Sequence, residues 1–391
     1  MLLKCFTFTA KSEGNLFEEN YDLSIIGGGP AGTACALSLK ESGLRIALFD
    51  KQKFPKDKVC GDAIPGEAIE TLKNIIPDFD IEFGKITQKL RIRGSVFHYN
   101  NRAFRQRWDN EAYTCRRFYF DEFLLSQVAS QPLTRIYRGE NIGDLSRTPD
   151  GFILRTTDGG LKISCHMIVG CDGVNGLTSR ILGRNTISRK HHVSAVRAYF
   201  KGVSGVREDQ TEFYAGANYG SGYFWIFPIY EGLVNAGFGI LSDEILSANI
   251  NLKEAFTGIL QGKGPVHKKF SLAEQCGPLE SRGIPLGSFN PVRSGERFVL
   301  AGDAASLADP LSGAGIGNAI VSGNAAAAQV LRCFRSGDFS NQTMKAYDID
   351  LKKRLGMELM KNTIIRKTFT RFPLIAHLAF LFGEKFSDQI G

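Results

Sequence analysis

The sequence has no Cys-x-x-Cys pair and no histidines at zinc-finger spacing. Its eight cysteines are scattered at positions 5, 35, 60, 115, 165, 171, 276 and 333. Metal sites and disulfide frameworks need ligands or partners at defined spacings, so neither is expected here. The simpler interpretation is a cytoplasmic protein with reduced thiols, several of them buried as small apolar side chains.

Long apolar runs are also missing. No stretch approaches the roughly 20 apolar residues that a helix needs to span a bilayer, and Lys4 interrupts the apolar patch at the N-terminus. A secretory signal and a membrane span are therefore not expected. The chain also lacks a basic patch interleaved with aromatic residues and any known nucleic-acid-reading motif, so no nucleic acid partner is expected.

Glycine is plentiful, with 43 glycines in 391 residues, and 43% of the residues are hydrophobic. This composition is typical of a globular protein with a sizeable core, many tight turns and close approaches to ligands. The length suits about two to three domains.

Positive charge is concentrated near the C-terminus. Of a net charge of +8, most lies in residues 351–385, where eight Lys and Arg residues outnumber Glu358 and Glu384. The apolar stretch 373–382 lies beside these charges and is too short to span a membrane. Two interpretations stay open. The segment is either a basic amphipathic tail that contacts an anionic membrane surface peripherally, or a set of helices packed on the protein with a solvated basic face.

Apolar runs that end at glycine or aspartate predict buried parallel strands at 21–27, 44–50 and near 298. Helical patterns follow at 31–43 and 116–130, and a long helix rich in small residues follows residue 313. The runs 152–157 and 161–170 predict a β-hairpin. Alternating aromatic and β-branched residues from about 188 to 285 predict an antiparallel sheet.

The sequence GGGPAG follows the first predicted strand. Gly27, Gly29 and Gly32 match the GxGxxG pattern, in which the glycines permit a tight turn, backbone contact with a diphosphate and close helix–strand packing. The N-terminus of the next helix offers N–H groups to the phosphates. Asp50 ends the second strand and is placed to accept hydrogen bonds from a ribose. The sequence therefore predicts a dinucleotide site.

A second region, much later in the chain, indicates which dinucleotide binds. Asp303 follows a buried strand, and Gly313, Gly315 and Gly317 stand at the head of a helix. A carboxylate there can bind a ribityl hydroxyl, and the helix N-terminus can stabilise negative charge on a reduced flavin ring. Two such regions suit the long FAD molecule better than NAD. The alternative, that Asp303 only caps the helix, stays open.

These motifs resemble those of the FAD-dependent hydroxylase superfamily and, within it, most closely the geranylgeranyl reductase family. Arg117 with Asp121 is similar to the family's R-x-x-F-D, Asp172 with Gly173 to its A-D-G-x-x-S, and the strands "AVRAYFKGV" and "GYFWIFPIY" to two of its strands. The loop "KVCGDAIPG" is similar to its K-x-C-G-G loop, but Asp62 stands where the family often has a second glycine. The resemblance covers about residues 20 to 335.

The resemblance implies that FAD is held by glycines of the first motif, by Asp50 and Asp303, and by Arg117, with Asp172 supporting the fold around the cofactor. The full candidate cofactor-binding set is Gly27, Gly29, Pro30, Ala31, Gly32, Asp50, Lys51, Lys58, Cys60, Gly61, Arg117, Asp172, Gly302, Asp303, Pro310, Gly313, Gly315 and Ile316. No metal is expected.

The expected fold class is α/β plus β. A Rossmann-like FAD-binding domain of the GR2 type is interleaved with an antiparallel-sheet substrate domain and followed by C-terminal helices. The expected boundaries are an N-terminal extension at 1–20, an FAD-binding domain at 21–80, 112–185 and 290–335, a β-rich domain at 81–111 and 186–289, and a basic helical segment at 336–391.

The favoured activity is reduction of carbon–carbon double bonds in an isoprenoid or lipid-like substrate, with a hydride from flavin N5 and a proton from the protein. The candidate catalytic residues are Cys60, Tyr223 and Trp225. Cys60 or Tyr223 is the candidate proton donor, although Cys60 is alternatively only a spacer. Tyr223, Trp225 and Phe227 alternate along one strand and form either an aromatic wall of a pocket or ordinary sheet core.

Other activities on the same scaffold stay open: aromatic hydroxylation, halogenation, or a flavin-bearing redox partner without a small substrate. The order Tyr223-x-Trp225-x-Phe227-Pro228 partly imitates the W-x-W-x-I-P strand of halogenases, but tyrosine replaces the first tryptophan. The chain carries a single dinucleotide fingerprint, so the electrons come either from transiently bound NAD(P)H or from a protein donor. The sequence does not indicate an oligomeric state.

Overall fold

The computed structural model describes residues 17–100, 102–372, 374, 375 and 377–379. The strands are β1 Phe17–Ile26, β2 Ile46–Asp50, β3 Ala63–Ile64, β4 Lys89–Tyr99, β5 Arg102–Cys115, β6 Thr134–Arg138, β7 Ile142–Thr148, β8 Gly151–Thr156, β9 Leu161–Gly170, β10 His192–Lys201, β11 Gln210–Ala215, β12 Tyr223–Ile229, β13 Leu233–Leu241, β14 Glu274–Pro285, β15 Ser294–Gly295 and β16 Phe298–Leu300. The helices are α1 Pro30–Ser38, α2 Gly66–Ile75, α3 Phe79–Gly84, α4 Arg117–Ala129, α5 Leu177–Ile181, α6 Ser242–Ser247, α7 Leu252–Gln261, α8 Pro265–Phe270, α9 Ile316–Ser336, α10 Asn341–Leu351 and α11 Met357–Arg371.

The first sheet has the strand order β15-β16-β9-β1-β2-β6, and β1, β2, β6, β9 and β16 run parallel. Ile25 of β1 lies between Leu48 of β2 and Val169 of β9, and all three side chains are fully buried. Helices cover these parallel strands, as burial on both faces requires. α9 packs so closely on α1 that a Cβ at Gly323 would meet the carbonyl oxygen of Ala31 at 2.1 Å.

The predicted parallel strands and the two helices that follow the glycine motifs are confirmed. β1 begins at Phe17 rather than at Tyr21, because its first residues continue the pairing with β9, where Phe17 lies opposite Leu161. The predicted hairpin is formed by β8 and β9, and β9 then continues as the parallel partner of β1. The predicted N-terminal extension up to residue 16 lies outside the described residues.

The second sheet has the order β14-β10-β13-β12-β11-β4-β5-β3. Its pairs are antiparallel apart from β4 with β11, which run parallel. The short β3 follows the Cys60–Gly61 loop and pairs with β5, so it joins this sheet although the sequence groups residues 21–80 with the first domain. The Cys60–Gly61 loop is thereby held between the two sheets.

One predicted stretch is wrong: residues 242–270 do not continue the antiparallel sheet but form α6, α7 and α8. Asn251 caps α7, because its side chain accepts hydrogen bonds from the backbone N–H groups of Lys253 and Glu254. Phe256 of α7 and Phe270 of α8 pack against Phe224 of β12. These helices therefore cover one face of the second sheet and leave its opposite face to the cavity described below.

The C-terminal helices are confirmed as helices by α10 and α11, which a π-helical turn at Lys352–Gly356 joins. Within the described part of the chain, no helix is both long and apolar enough to cross a membrane. Half of the apolar stretch 373–382 and all residues beyond 379 lie outside the described residues.

Candidate functional site

The turn between β1 and α1 depends on its glycines. Gly27 has a φ of 112°, and a Cβ there would meet the carbonyl oxygen of Cys171 at 2.2 Å. A Cβ at Gly32 would meet the carbonyl oxygen of Gly27 at 1.9 Å, so this glycine permits the close packing of helix on strand. Gly29 has open space where its side chain would be, and it is the N-cap of α1 without any side-chain hydrogen bond. The turn therefore presents bare backbone and a helix N-terminus, which is the donor set that a diphosphate requires.

Asp50 ends β2 and holds the neighbouring loops together. One carboxylate oxygen accepts a hydrogen bond from the N–H of Gly28 at 2.9 Å and the other from the N–H of Gln52 at 2.9 Å. Lys56 also pairs with this carboxylate. Burial lowers the pKa of Lys56, and the charge of Asp50 offsets only part of that effect. Neither Asp50 nor the exposed Lys51 lines the main cavity, so ribose binding by Asp50 stays a prediction.

At the other end of the parallel sheet, Asp303 follows β16 and faces the cavity. The ammonium group of Lys58 donates a hydrogen bond to its carboxylate at 3.1 Å. Burial would raise the pKa of Asp303, but Lys58 and, more weakly, Arg282 and Arg117 outweigh burial and lower it. The N-cap of α9 is Gly315, so Asp303 does not cap that helix. A charged acid beside an open helix N-terminus fits the ribityl and ring portions of a flavin.

Arg117 begins α4 and is almost completely buried. Its Nε and Nη2 each donate a hydrogen bond of 2.6 Å to the carboxylate of Asp121, one helical turn later. Burial lowers the pKa of Arg117, whereas Asp121 and then Cys60 raise it, and the net effect is a rise. The guanidinium therefore stays charged, lines the cavity and lies beside the Cys60 thiol.

The Cys60–Gly61 turn lies against the aromatic face of β12. A Cβ at Gly61 would be 2.9 Å from Cε2 of Phe227 and 3.6 Å from Nε1 of Trp225. Tyr223, Trp225 and Phe227 all line the cavity, so they form a wall of it and also pack on one another. The hydroxyl of Tyr223 donates a hydrogen bond to the carbonyl of Ser312, and burial raises its pKa. Proton donation by Tyr223 would first have to break that bond.

Asp172 lies outside the cavity lining and accepts two hydrogen bonds from Thr178. The hydroxyl donates at 2.6 Å and the backbone N–H at 2.9 Å. Burial raises the pKa of Asp172. These contacts brace the loop after β9, and the support of a bound cofactor by Asp172 stays a prediction.

The cavity has a volume of about 1410 Å³ and joins the two sheets. The predicted residues that line it are Gly29, Pro30, Ala31, Lys58, Cys60, Gly61, Arg117, Tyr223, Trp225, Gly302, Asp303, Gly313, Gly315 and Ile316. The predicted residues that do not line it are Gly27, Gly32, Asp50, Lys51, Asp172 and Pro310.

The far end of the cavity is apolar and was only partly predicted. Phe97 and Phe213 stack there with ring centroids 5.0 Å apart, and Leu359 and Phe369 of α11 also line the cavity. The aromatic strand signal was visible in the sequence, whereas the contribution of α11 was not, because it depends on where the helix packs. One cavity thus combines a glycine-rich, charged end with an aromatic and aliphatic end.

Two buried polar residues behind the Cys60–Gly61 turn were missed: Asp62 and Asn235. The side chain of Asn235 bonds to both Trp225 and Asp62. A polar residue in the middle of the apolar strand "GLVNAGFG" and the Asp62 departure from the glycine pattern were the signals that pointed to them.

The pattern of the family described as FAD binding domain matches residues 20–236, more than half of the chain. The chain is similar to a digeranylgeranylglycerophospholipid reductase of Thermoplasma acidophilum, with 26% identity over 365 residues that cover 89% of this chain and 87% of that protein. Among solved structures, it is similar to a geranylgeranyl bacteriochlorophyll reductase-like protein of the same organism, with a TM-score of 0.79, 24% identity, and coverage of 90% of this chain and 88% of that one. It is also similar to the flavin-dependent halogenase CmlS, with a TM-score of 0.76, 22% identity, and coverage of 90% and 66%.

Proposed function

The chain belongs to the FAD binding domain family, and from this premise we propose that it reduces carbon–carbon double bonds of an isoprenoid or similarly apolar lipid. Similarity to digeranylgeranylglycerophospholipid reductases of several archaea, at about 25% identity, supports this choice of substrate class. Halogenation and hydroxylation are the alternative reactions, because a flavin-dependent halogenase and a flavoprotein/dehydrogenase have a similar fold.

The observation that carries the proposal is the continuity of the cavity. Its volume of about 1410 Å³ exceeds the roughly 300–1,000 Å³ of an ordinary ligand pocket. The end with Gly29 and Asp303 suits the diphosphate and ribityl portions of FAD. The end with Phe97 and Phe213 suits a long apolar chain. A reactive ring between them would lie beside Cys60 and Trp225.

FAD, when bound and reduced, supplies the hydride for one carbon of the double bond. The protein then has three tasks: to hold the lipid chain, to exclude water, and to give a proton to the second carbon. The aromatic and aliphatic walls perform the first two. Of the two candidate proton donors, Cys60 lines the cavity beside the Arg117 guanidinium, whereas the Tyr223 hydroxyl is engaged with Ser312. We therefore assign the proton to Cys60.

The electron donor is proposed to be either NAD(P)H, bound transiently at the cavity mouth, or a separate redox protein. The single glycine fingerprint between β1 and α1 is expected to hold FAD, so it leaves no second fingerprint for a resident nicotinamide cofactor.

Peripheral membrane contact is proposed through α11, which has two different faces. Leu359, Arg366 and Phe369 line the cavity from one face. The opposite face, named the α11 stripe, is exposed and mixes apolar and basic residues: Met357, Met360, Lys361, Ile364, Lys367 and Arg371. Met357 is 80% exposed and Met360 is 61% exposed. Apolar residues beside cations are the combination that binds anionic lipid surfaces, and such contact would place the apolar end of the cavity next to a lipid source.

Anaerobic reoxidation of the reduced flavin tests the proposed reaction. The FAD-loaded protein is reduced by dithionite under anaerobic conditions and is then mixed either with a geranylgeranyl phospholipid or with dissolved oxygen. We expect the lipid to reoxidise the flavin within the time of a few turnovers, while its saturated analogue leaves the flavin reduced. If the lipid leaves the flavin reduced and oxygen produces the spectrum of a C4a-hydroperoxide, the proposed reduction is wrong and the protein performs oxygen chemistry.

A further inference from the structure

Asp62 is a fully buried acid with a left-handed backbone, immediately after the Cys60–Gly61 turn. Its φ is 63°, a conformation that aspartate tolerates better than most residues. The hydroxyl of Tyr199 donates a hydrogen bond to its carboxylate at 2.6 Å, and the amide of Asn235 donates another at 2.8 Å. The backbone N–H of Arg117 approaches its second oxygen at 3.3 Å. This carboxylate does not line the cavity, so any role in catalysis acts through its neighbours.

Asn235 connects Asp62 to two parts of the cavity wall. Its amide nitrogen also donates a hydrogen bond to the carbonyl of Cys60 at 2.7 Å, and its amide oxygen accepts one from Nε1 of Trp225 at 3.0 Å. An indole N–H can only donate, so the amide oxygen of Asn235 must face Trp225 and its NH₂ must face two acceptors. Asp62 is one of those acceptors. With a glycine at this position, one N–H of Asn235 and the hydroxyl of Tyr199 would both lose their partner.

Other charged groups surround this network and compensate one another. From β10, Arg197 donates a hydrogen bond to Asp57 at 2.9 Å and pairs with Glu280 of β14, also at 2.9 Å. Arg116, just before α4, lies 3.8 Å from the same Asp57 carboxylate. From β5, burial raises the pKa of the Cys115 thiol to about 12, so that group is neutral.

The pKa of Asp62 lies close to neutral pH. Burial raises it to about 6, although the hydrogen bonds from Tyr199 and Asn235 and the charge of Arg197 oppose the rise, and Asp57 adds to it. The ionised carboxylate of Asp62 accepts from three donors, Tyr199, Asn235 and the N–H of Arg117. Protonation replaces it by a neutral carboxyl, which is a weaker acceptor and itself donates, so the hydrogen bonds that hold these donors weaken.

We propose that Asp62 is a positioning residue: together with Asn235, its ionised carboxylate fixes the Cys60 carbonyl and the Trp225 indole, and loss of its charge releases this wall of the cavity. The proposal goes beyond the proposed reaction, because it concerns the wall in the protein without cofactor and does not depend on which substrate is reduced.

The test uses the intrinsic fluorescence of Trp225. The chain has two tryptophans, so a Trp108→Phe background leaves Trp225 as the single reporter. In the FAD-free protein we expect one fluorescence transition with a midpoint near the pKa of Asp62, at about pH 6. Asp62→Asn in this background should abolish the transition. Its persistence in Asp62→Asn, or its absence in the background protein, would overturn the proposal.

Two further variants keep the test decisive even if Asp62→Asn does not fold. Tyr199→Phe keeps the ring but removes a donor to the charged carboxylate, so the midpoint should rise, by about one pH unit. Asp57→Asn removes a neighbouring negative charge, so the transition should persist with a slightly lower midpoint. An unchanged midpoint in Tyr199→Phe would contradict the role of Asp62, because a structural contact alone predicts no such shift.

Discussion

Gly61 has no side chain, and this absence allows the turn to lie against the aromatic wall of β12. A Cβ there would lie 2.9 Å from Cε2 of Phe227, closer than well-packed carbon atoms come. The turn and the aromatic wall would have to separate. Since the Cys60–Gly61 turn and Trp225 border the proposed reaction centre, a shift of this size affects orientation rather than overall folding.

We therefore predict that Gly61→Ala lowers kcat about tenfold or more, equivalent to about 1.4 kcal/mol of transition-state stabilisation, while FAD remains bound. Gly258→Ala is the matched control, because a Cβ at Gly258 on α7 meets nothing within 4 Å. The measurement is steady-state kinetics with the flavin content determined by absorbance. Equal kinetics for the two variants would show that the close contact at Gly61 does not matter for turnover.

At the scale of single residues, the sequence predicts the roles that depend on neighbours close in the chain. The glycines between β1 and α1, Asp303 and the cavity-facing Trp225 follow from motif and alternation. Asp62 and Asn235 do not, because their importance depends on hydrogen bonds between residues 173 positions apart. Only two features of the sequence indicate this network. Asp62 stands where the family's loop often has a glycine, and Asn235 is a polar residue inside a buried strand.

At the scale of elements, α11 has the strongest consequence for function. Its cavity face and the exposed α11 stripe lie on opposite sides of one helix, since Leu359 and Arg366 line the cavity and Met357, Met360 and Ile364 are exposed. A helix that carries apolar residues on both sides either packs the second side against another surface or leaves it exposed.

We predict that reversing two charges of the stripe, by Lys361→Glu with Lys367→Glu, weakens binding to anionic liposomes at least about tenfold, since each cation near such a surface contributes about 1 kcal/mol. The control reverses two exposed lysines elsewhere, by Lys40→Glu with Lys345→Glu, and should bind nearly as well as the wild type. Liposome co-sedimentation at low and high salt measures both. If both double variants lose liposome binding equally, overall charge and not the α11 stripe explains the binding. If the wild type does not bind anionic liposomes, the proposed membrane contact is wrong.

The sequence predicted elements that follow a clear period and missed those that long-range packing selects. The parallel strands and α9 were recognisable from apolar runs and glycine stops. The helices at 242–270 were missed, because the prediction of an antiparallel sheet, based on aromatic and β-branched residues in the flanking strands, was applied to these residues as well. Asn251 as a helix cap and the helical spacing that buries Phe256 are the local signals that favour a helix here.

At the scale of the whole molecule, the topology of the two sheets brings the residues of the site together. The glycine turn between β1 and α1, the Cys60–Gly61 loop, the aromatic strand β12 and α11 are distant in sequence, and both sheets are needed to bring them around one cavity. The sequence predicted the glycine-rich end of this cavity and left open whether the aromatic residues of β12 form a wall of it or ordinary sheet core. It did not predict that α11 lines the cavity, because the resemblance that guided the prediction stops near residue 335.

The proposed reaction requires that this cavity hold FAD and an unsaturated lipid together. Mass spectrometry of the lipid after a single anaerobic turnover of the reduced, FAD-loaded protein tests it most directly. We expect a geranylgeranyl phospholipid to gain two hydrogen atoms for each double bond reduced. Both should be deuterium when the protein is reduced by dithionite in deuterated buffer, because the flavin N5–H and the Cys60 S–H each exchange with solvent. A lipid recovered unchanged, together with incorporation of oxygen or halogen into another substrate under aerobic conditions, would contradict it.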